Sequence, residues 1–354
     1  MKHTKICSDR LRRILALCLA LLMVLPLAAC GENRKSQREL FAMDTIMTLT
    51  AYGKDGEKGL DAAESVIQAM DVMLDPELST STVYAINHAN GQSVVVSAQV
   101  AKMLTTAMTV YEQSGGALDL SIYPLVKRWG FVDQKYYKPT EAEIAEDLSR
   151  LCYDKLSLTS FPASGSYYLT IPEYGQLSFG AVAKGCAAEN AIDAMRQAGV
   201  KSGIISLGGN VQTLGVKPNG DLWKVAIQDP ENPDGYVGTI RVGETAVVTS
   251  GPYQRNFTLK GVLYHHILNP ATGHPSNSSL RSVTIICGDG TMADCLSTAM
   301  FVLGETKALN YWRQYGGFEM ILVTTDDRIV CTKGLLEAFT LSVDASQYKV
   351  TYSE

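Results

Sequence analysis

The chain has 354 residues, 46% hydrophobic and 19% charged, and its 31 Lys/Arg against 36 Asp/Glu give a formal net charge of −5. That balance excludes a sequence-independent nucleic-acid binder, which needs clustered cations to neutralise phosphates. A phosphate compound bound here would require local cations or a metal to offset the protein's own field.

In chain order, Lys2, Lys5, Arg10, Arg12 and Arg13 precede an uncharged apolar run from Ile14 to Ala29. This is the layout of a secretory signal, and the run is too short for a transmembrane span. It closes on Leu27-Ala28-Ala29-Cys30-Gly31, which resembles the lipobox of bacterial lipoproteins. The resemblance implies cleavage of residues 1–29, a diacylglyceryl group on the Cys30 sulfur, and a body held by lipid on the extracytoplasmic face of a bacterial membrane. The plainer alternative is an ordinary signal with an incidental cysteine. Removing five Lys/Arg and one Asp with residues 1–29 leaves 26 cations against 35 anions, about nine net negative charges. Residues 30–38 are polar and read as a tether. Beyond Cys30, Cys152, Cys186, Cys287, Cys295 and Cys331 are odd in number with no C-x-x-C pair, so they read as small buried hydrophobes rather than disulfides or a zinc site.

From residue 39 to 354 no linker interrupts the chain, which predicts one catalytic domain with two lobes. Residues 45–52, 94–97, 167–171, 203–207, 222–228, 239–242, 262–268, 282–287 and 319–324 read as strands. Helical periodicity falls at 60–73, 98–114, 140–148, 182–198, 292–303 and 306–315. Strands in runs with helices between them predict an α+β fold, with mixed, largely antiparallel sheets and flanking helices.

Six segments carry candidate chemistry. Gly115-Gly116-Ala117-Leu118-Asp119 sets one acid after a glycine pair, where it either caps a turn or accepts from a ligand. In Leu177 to Gly185, Lys184 lies in the first turn of a helix, where a cation opposes the macrodipole unless an anion is present. Helix-start amides plus this lysine make a phosphate site; the alternative is a solvated surface lysine. Gly208-Gly209-Asn210 and Thr249 to Arg255 are loops that either face a ligand or simply turn. In Tyr264 to Pro275, His265 and His266 point to opposite faces of a strand, so at most one looks into a site and serves as a base. Last, Asp294 and Thr298 share one helix face, two hard oxygens suited to Mg²⁺. Thr291 and Asp294 also fit a capping box, and the spacing leaves both readings open.

Met43-Asp44-Thr45, Ser81 with Asn87, Ala117 to Asp119, Trp129-Gly130-Phe131, Gly180 to Gly185, Gly208 to Asn210, Trp223 to Pro230, Ser250 to Tyr253, His266 to Gly273 and Ala293 to Thr298, in this order, resemble the FAD:protein FMN transferase, or ApbE, family. The resemblance spans about residues 43 to 303. It implies FAD contacts at Met43, Ala117, Leu118, Asp119, Ser178, Lys184 and the Leu268 backbone. It also implies Mg²⁺ ligands at the Ala181 carbonyl, Asp294 and Thr298, with the Ser297 backbone beside them, and catalytic roles for His266 and Asp294. Three positions depart from the family pattern: Ser178 and Asn269 replace common Asp residues, and no aromatic precedes Ser81. The implied activity is Mg²⁺-dependent transfer of FMN from FAD to a threonine of an acceptor flavoprotein carrying a Ser/Thr-Gly-Ala-Thr type sequence, with release of AMP. A metal-bound Asp294 loses basicity, which makes His266 the base. The rival readings are an FAD pyrophosphatase giving FMN and AMP, and a flavin-binding lipoprotein without turnover.

Overall fold

The computed structural model describes residues 33–161 and 166–353; the signal segment and Cys30 lie outside them. The chain opens with a hairpin, β1 (Lys35–Ala42) and β2 (Thr45–Tyr52), in full antiparallel register. Its two-residue connection, Met43-Asp44, has positive φ at both positions, 48° and 58°, the backbone whose twist matches paired strands. Residues 35–38, read from sequence as tether, are therefore part of a strand. Only Ser36 and Ala42 of β1 are buried, so no apolar alternation marked it.

The hairpin begins a nine-stranded sheet that continues through β6 (Ser202–Leu207), β7 (Asn210–Leu214), β10 (Ala246–Ser250), β13 (Leu280–Cys287), β14 (Glu319–Thr324), β15 (Arg328–Thr332) and β17 (Lys349–Ser353). All neighbours are antiparallel except β15 and β17. Both faces are covered. Met320 and Leu322 of β14 enter the main core, and Ile321 and Val323 enter a second cluster on the other side. β7 escapes sequence reading because polar Asn210, Gln212 and Thr213 fill its buried positions, and β10 because its apolar run is only Ala246 to Val248.

The main core is closed by α1 (Gly56–Leu74), α3 (Ala98–Ser114), α6 (Ala183–Gln197) and α7 (Gly290–Tyr315). Ser97 caps α3 through the Val100 amide, and left-handed Gly115 ends it, so its bounds match the sequence expectation. Gly304, with φ 74° and ψ 171°, interrupts α7, which accounts for the two separate helical patterns on either side of it. The second cluster lies beneath a three-stranded sheet of β8 (Trp223–Gln228), β9 (Tyr236–Val242) and β16 (Phe339–Leu341). Another small sheet pairs β3 (Val94–Val96), β5 (Ser166–Thr170) and β4 (Ser157–Phe161).

A third cluster, around Trp129, joins α4 (Tyr123–Arg128), α5 (Glu141–Leu148) and the separate hairpin of β11 (Asn256–Leu259) and β12 (Val262–His265). The short α2 (Thr82–Asn87) is capped by Ser81. The strand expected over 262–268 ends at His265, and the chain then turns at Asn269-Pro270. The α+β expectation holds. Among the described residues the five cysteines are free and buried, as the sequence implied, and no helix is long and apolar enough to cross a membrane.

Candidate active site

A cleft of about 500 Å³ gathers residues from across the chain, a volume in the range of small-molecule sites. Met43, Ala117, Leu118, Asp119, Ser178, Ala181, Lys184, His266, Leu268 and Thr298 all line it. Of the expected site residues in the described region, only Asp294 and Ser297 lie behind this lining, on the same helix as Thr298.

The corner where α6 meets α7 explains Asp294. The cap of α7 is Asp289, whose side chain accepts from the Met292 amide at 2.8 Å, so the Thr291 to Asp294 capping box is not formed. Asp294, 4% exposed, instead accepts from the Gly185 amide of α6 through Oδ2 at 2.8 Å. Thr291 donates its hydroxyl to Glu189 of α6 at 2.7 Å, and Lys102 of α3 pairs with the same carboxylate at 2.7 Å. Each helix start is thus held by an acid from the other. Ser297 Oγ is occupied by the Asp294 carbonyl and the Ser250 hydroxyl.

Gly185 is the third residue of α6, so its amide is one of the helix-start donors with no acceptor inside the helix, and Asp294 takes the place of a capping side chain. Among the described residues no hydrogen bond reaches the Ala181 carbonyl, the Thr298 hydroxyl or Asp294 Oδ1. No group of three or more His, Cys, Asp or Glu side chains could hold a metal among the described residues. A cation here would rest on one carboxylate and neutral oxygens, a donor set that suits Mg²⁺ with several waters retained. The residues present fit that ion.

The corner also depends on a missing side chain. A Cβ on Gly185 would lie 2.1 Å from the Gly290 carbonyl oxygen and 2.6 Å from the Asp294 Cβ. Gly185→Ala is expected to destabilise the protein by about 1–3 kcal/mol through overpacking. Denaturant midpoints check this, and an unchanged midpoint would refute the close helix approach.

Beside this corner, Lys184 has no salt bridge among the described residues and faces the cleft at the start of α6. His266 stands near it. Its Nδ1 meets the Arg255 carbonyl at 3.1 Å, and its amide bonds the same oxygen. A carbonyl only accepts, so Nδ1 carries the proton and Nε2 is left as acceptor. Burial, with the charges of Lys184 and Arg255, pushes the imidazole down to about 3, so it is neutral at ordinary pH. Partial solvent contact at the cleft mouth tempers that shift. His265 points the other way, buried, with Nε2 donating to the Ser276 carbonyl and the ring edge-on to Phe301.

Asp119 does cap a turn, accepting from the Ser121 amide and hydroxyl at 2.7 and 2.6 Å. Burial raises its pKa, and the residue still borders the cleft. Ser178 shapes the α6 entry, donating its amide to Leu120 and accepting from Gly180. Sequence reasoning missed Asp44, Asp71, Asp75, Glu77, Tyr123 and Arg255, all of which line the cleft. Asp71 accepts from the Met43 amide at 2.8 Å, and Arg255 pairs with Asp44 at 3.1 Å. Glu77 is bound by the Tyr123 hydroxyl and by Lys127. The cleft wall thus carries both acids and cations, with Arg255 already paired to Asp44. These acids belong to a hairpin turn, a helix end and a loop, and only the fold brings them together.

The ApbE family model matches residues 43–322 of the chain. The chain is 31% identical to a FAD:protein FMN transferase of Klebsiella pneumoniae, across 85% of this chain and 92% of that protein. It is 29% identical to one of Treponema pallidum, across 87% and 91%. Its structure is similar to the crystal structure of the ApbE protein of Thermotoga maritima, with TM-score 0.76, 26% identity and coverage of 89% and 99%. The apo flavinyl transferase ApbE of Pseudomonas stutzeri is similar to the same degree, with TM-score 0.76 and 26% identity over 88% of this chain and 98% of that one.

Proposed function

This chain belongs to the ApbE family, and from that premise we propose how its cleft works as a FAD:protein FMN transferase. The enzyme moves the FMN part of FAD onto an acceptor protein. The observation that carries the reading is the cleft corner, where Lys184, without a salt bridge among the described residues, the start of α6, the Ala181 and Thr298 oxygens and a neutral imidazole line one space, with Asp294 directly behind them.

Lys184, through its ammonium and its own amide, would hold the FAD pyrophosphate, the Ala183 and Gly185 amides beside it being bonded to Phe179 and Asp294. Asp294, the Thr298 hydroxyl and the Ala181 carbonyl would hold Mg²⁺, which supplies neutralisation of charge developing on the bridging and leaving oxygens. The neutral His266 Nε2 accepts the proton of the acceptor threonine hydroxyl. The threonine oxygen then bonds to the FMN-side phosphorus as the bond from that phosphorus to the bridging oxygen breaks, and AMP leaves. The proton on His266 passes to the departing phosphate or to water. The Arg255 carbonyl keeps the imidazole in the tautomer this step needs.

The chain itself has no Ser/Thr-Gly-Ala-Thr sequence, so the acceptor is another protein. The lipobox-like segment ending at Cys30 supports a lipid-anchored enzyme on the extracytoplasmic face, acting on flavoproteins there. Incubating the protein with FAD, Mg²⁺ and an acceptor domain carrying that sequence is expected to give a covalent flavin adduct by mass spectrometry, plus AMP. Free FMN without adduct would identify a pyrophosphatase, and unchanged FAD a binding protein.

A further inference from the structure

We propose that the bare apolar ends of the β1–β2 and β11–β12 hairpins are the docking surface for the acceptor protein. The proposal rests on the transferase reading and adds the partner's footprint. β1 is an edge strand of the nine-stranded sheet. Its early outward positions, Lys35, Gln37 and Glu39, are polar and exposed, the usual protection of an edge. That protection stops at the cleft. Phe41 and Ile46 are direct cross-strand partners, 71% and 70% exposed, beside the Met43-Asp44 turn that lines the cleft. The far end of the same hairpin is covered, with Tyr52 set against Trp223 of β8. Exposed aromatic and aliphatic side chains held rigidly on a strand pair suit a partner rather than water.

The patch is joined to the chemistry by one ion pair. Asp44 meets Arg255, whose carbonyl holds His266. From Arg255 the chain runs into β11, turns at Lys260-Gly261, and returns along β12 to His266. That second hairpin exposes Leu259, Val262 and Leu263. A threonine reaching His266 from a folded protein must bring its surroundings over this rim, so the occupant is the acceptor, with apolar residues flanking its flavin-receiving segment. A bilayer fits less well: Phe41 lies at the opposite end of β1 from Lys35, about 20 Å along the strand from the end that an N-terminal lipid would hold.

The test compares Phe41→Asp/Ile46→Asp with the unaltered chain on two acceptors, a folded acceptor domain and a short peptide carrying only the Ser/Thr-Gly-Ala-Thr segment. With the domain, kcat/KM is expected to fall about tenfold or more, mostly through KM. With the peptide, and in the KM for FAD, changes are expected to stay within about twofold. Leu263→Asp on the other hairpin should repeat the pattern, which guards against a folding defect in the double variant. Undiminished transfer to the domain, or equal loss with domain and peptide, would overturn the proposal. So would lost binding to anionic phospholipid vesicles with acceptor kinetics intact, which would make the patch a membrane contact. If the unaltered chain modifies neither acceptor, the transferase reading itself falls.

Discussion

Asp294→Asn is expected to lower FMN transfer by about 10²- to 10³-fold, the scale seen when one electrostatic element of a phosphoryl or acyl site is removed. Its fold should stay near that of the unaltered protein. The reason lies in the two oxygens of the carboxylate. Oδ2 accepts from the Gly185 amide, and an asparagine carbonyl can keep that bond. The negative charge and the second oxygen are lost, and with them the carboxylate beside the Ala181 and Thr298 oxygens; Glu189 at the same corner is already paired with Lys102 and Thr291. Asp294→Ala removes the Gly185 partner as well, leaving a buried amide unpaired at a cost of about 1–3 kcal/mol. The pair of variants therefore separates the metal role from the structural one. Transfer should be lost in both, while the denaturant midpoint should drop clearly only in Asp294→Ala. The Mg²⁺ concentration giving half-maximal rate should rise in Asp294→Asn. If it stays unchanged, Asp294 is not a ligand and serves only as a helix brace.

Asp294 also shows where sequence reading succeeds and where it stops. The four-residue spacing to Thr298 placed both on one face of a helix, and that helix exists. Capping was the rival reading, and a capping role is real, but it serves another helix 109 residues away in sequence. No local pattern can report a bond of that span. Long-range contacts decided other elements in the same way. The bounds of α3 were legible because serine and glycine signals at its ends are local. β7 and β10 were not, because Asn210, Gln212 and Thr213 put polar residues at the buried positions of β7 and the apolar run of β10 is three residues long. In the site, Lys184 and His266 were visible through their motifs. Arg255 was reached only as the end of a loop that could either face a ligand or turn, with nothing local to show that its carbonyl fixes the histidine and its side chain bounds the cleft. Asp71, Asp75 and Glu77 lie where a helix ends and a loop begins, and only the fold brings them to the same cleft as Lys184 and Arg255.

His266→Ala is expected to slow transfer by about 10²- to 10⁴-fold, the usual worth of a positioned base. The pH dependence gives the more discriminating result. In the free protein, burial and the cations Lys184 and Arg255 hold the imidazole down to about 3. Binding FAD brings negative phosphates to those same cations, and an anion near a histidine favours its protonated form. The acid limb of kcat, which reports the complex, should therefore lie at higher pH than the acid limb of kcat/KM for FAD, which reports the free enzyme. Lys184→Gln should raise the free-enzyme limb by removing one repelling charge. Stability follows the same sign. The folded pKa, about 3, lies below the ordinary value of 6.5, so the unfolded chain binds the proton first. The contribution of His266 to stability is complete above about pH 6.5 and is lost as pH falls toward the folded value. His266→Gln should flatten the decline in stability across that window while removing the limb from the rate profile. A glutamine variant that keeps both the limb and full transfer would take the base away from His266 and leave the hydroxyl's proton to water or to Asp294.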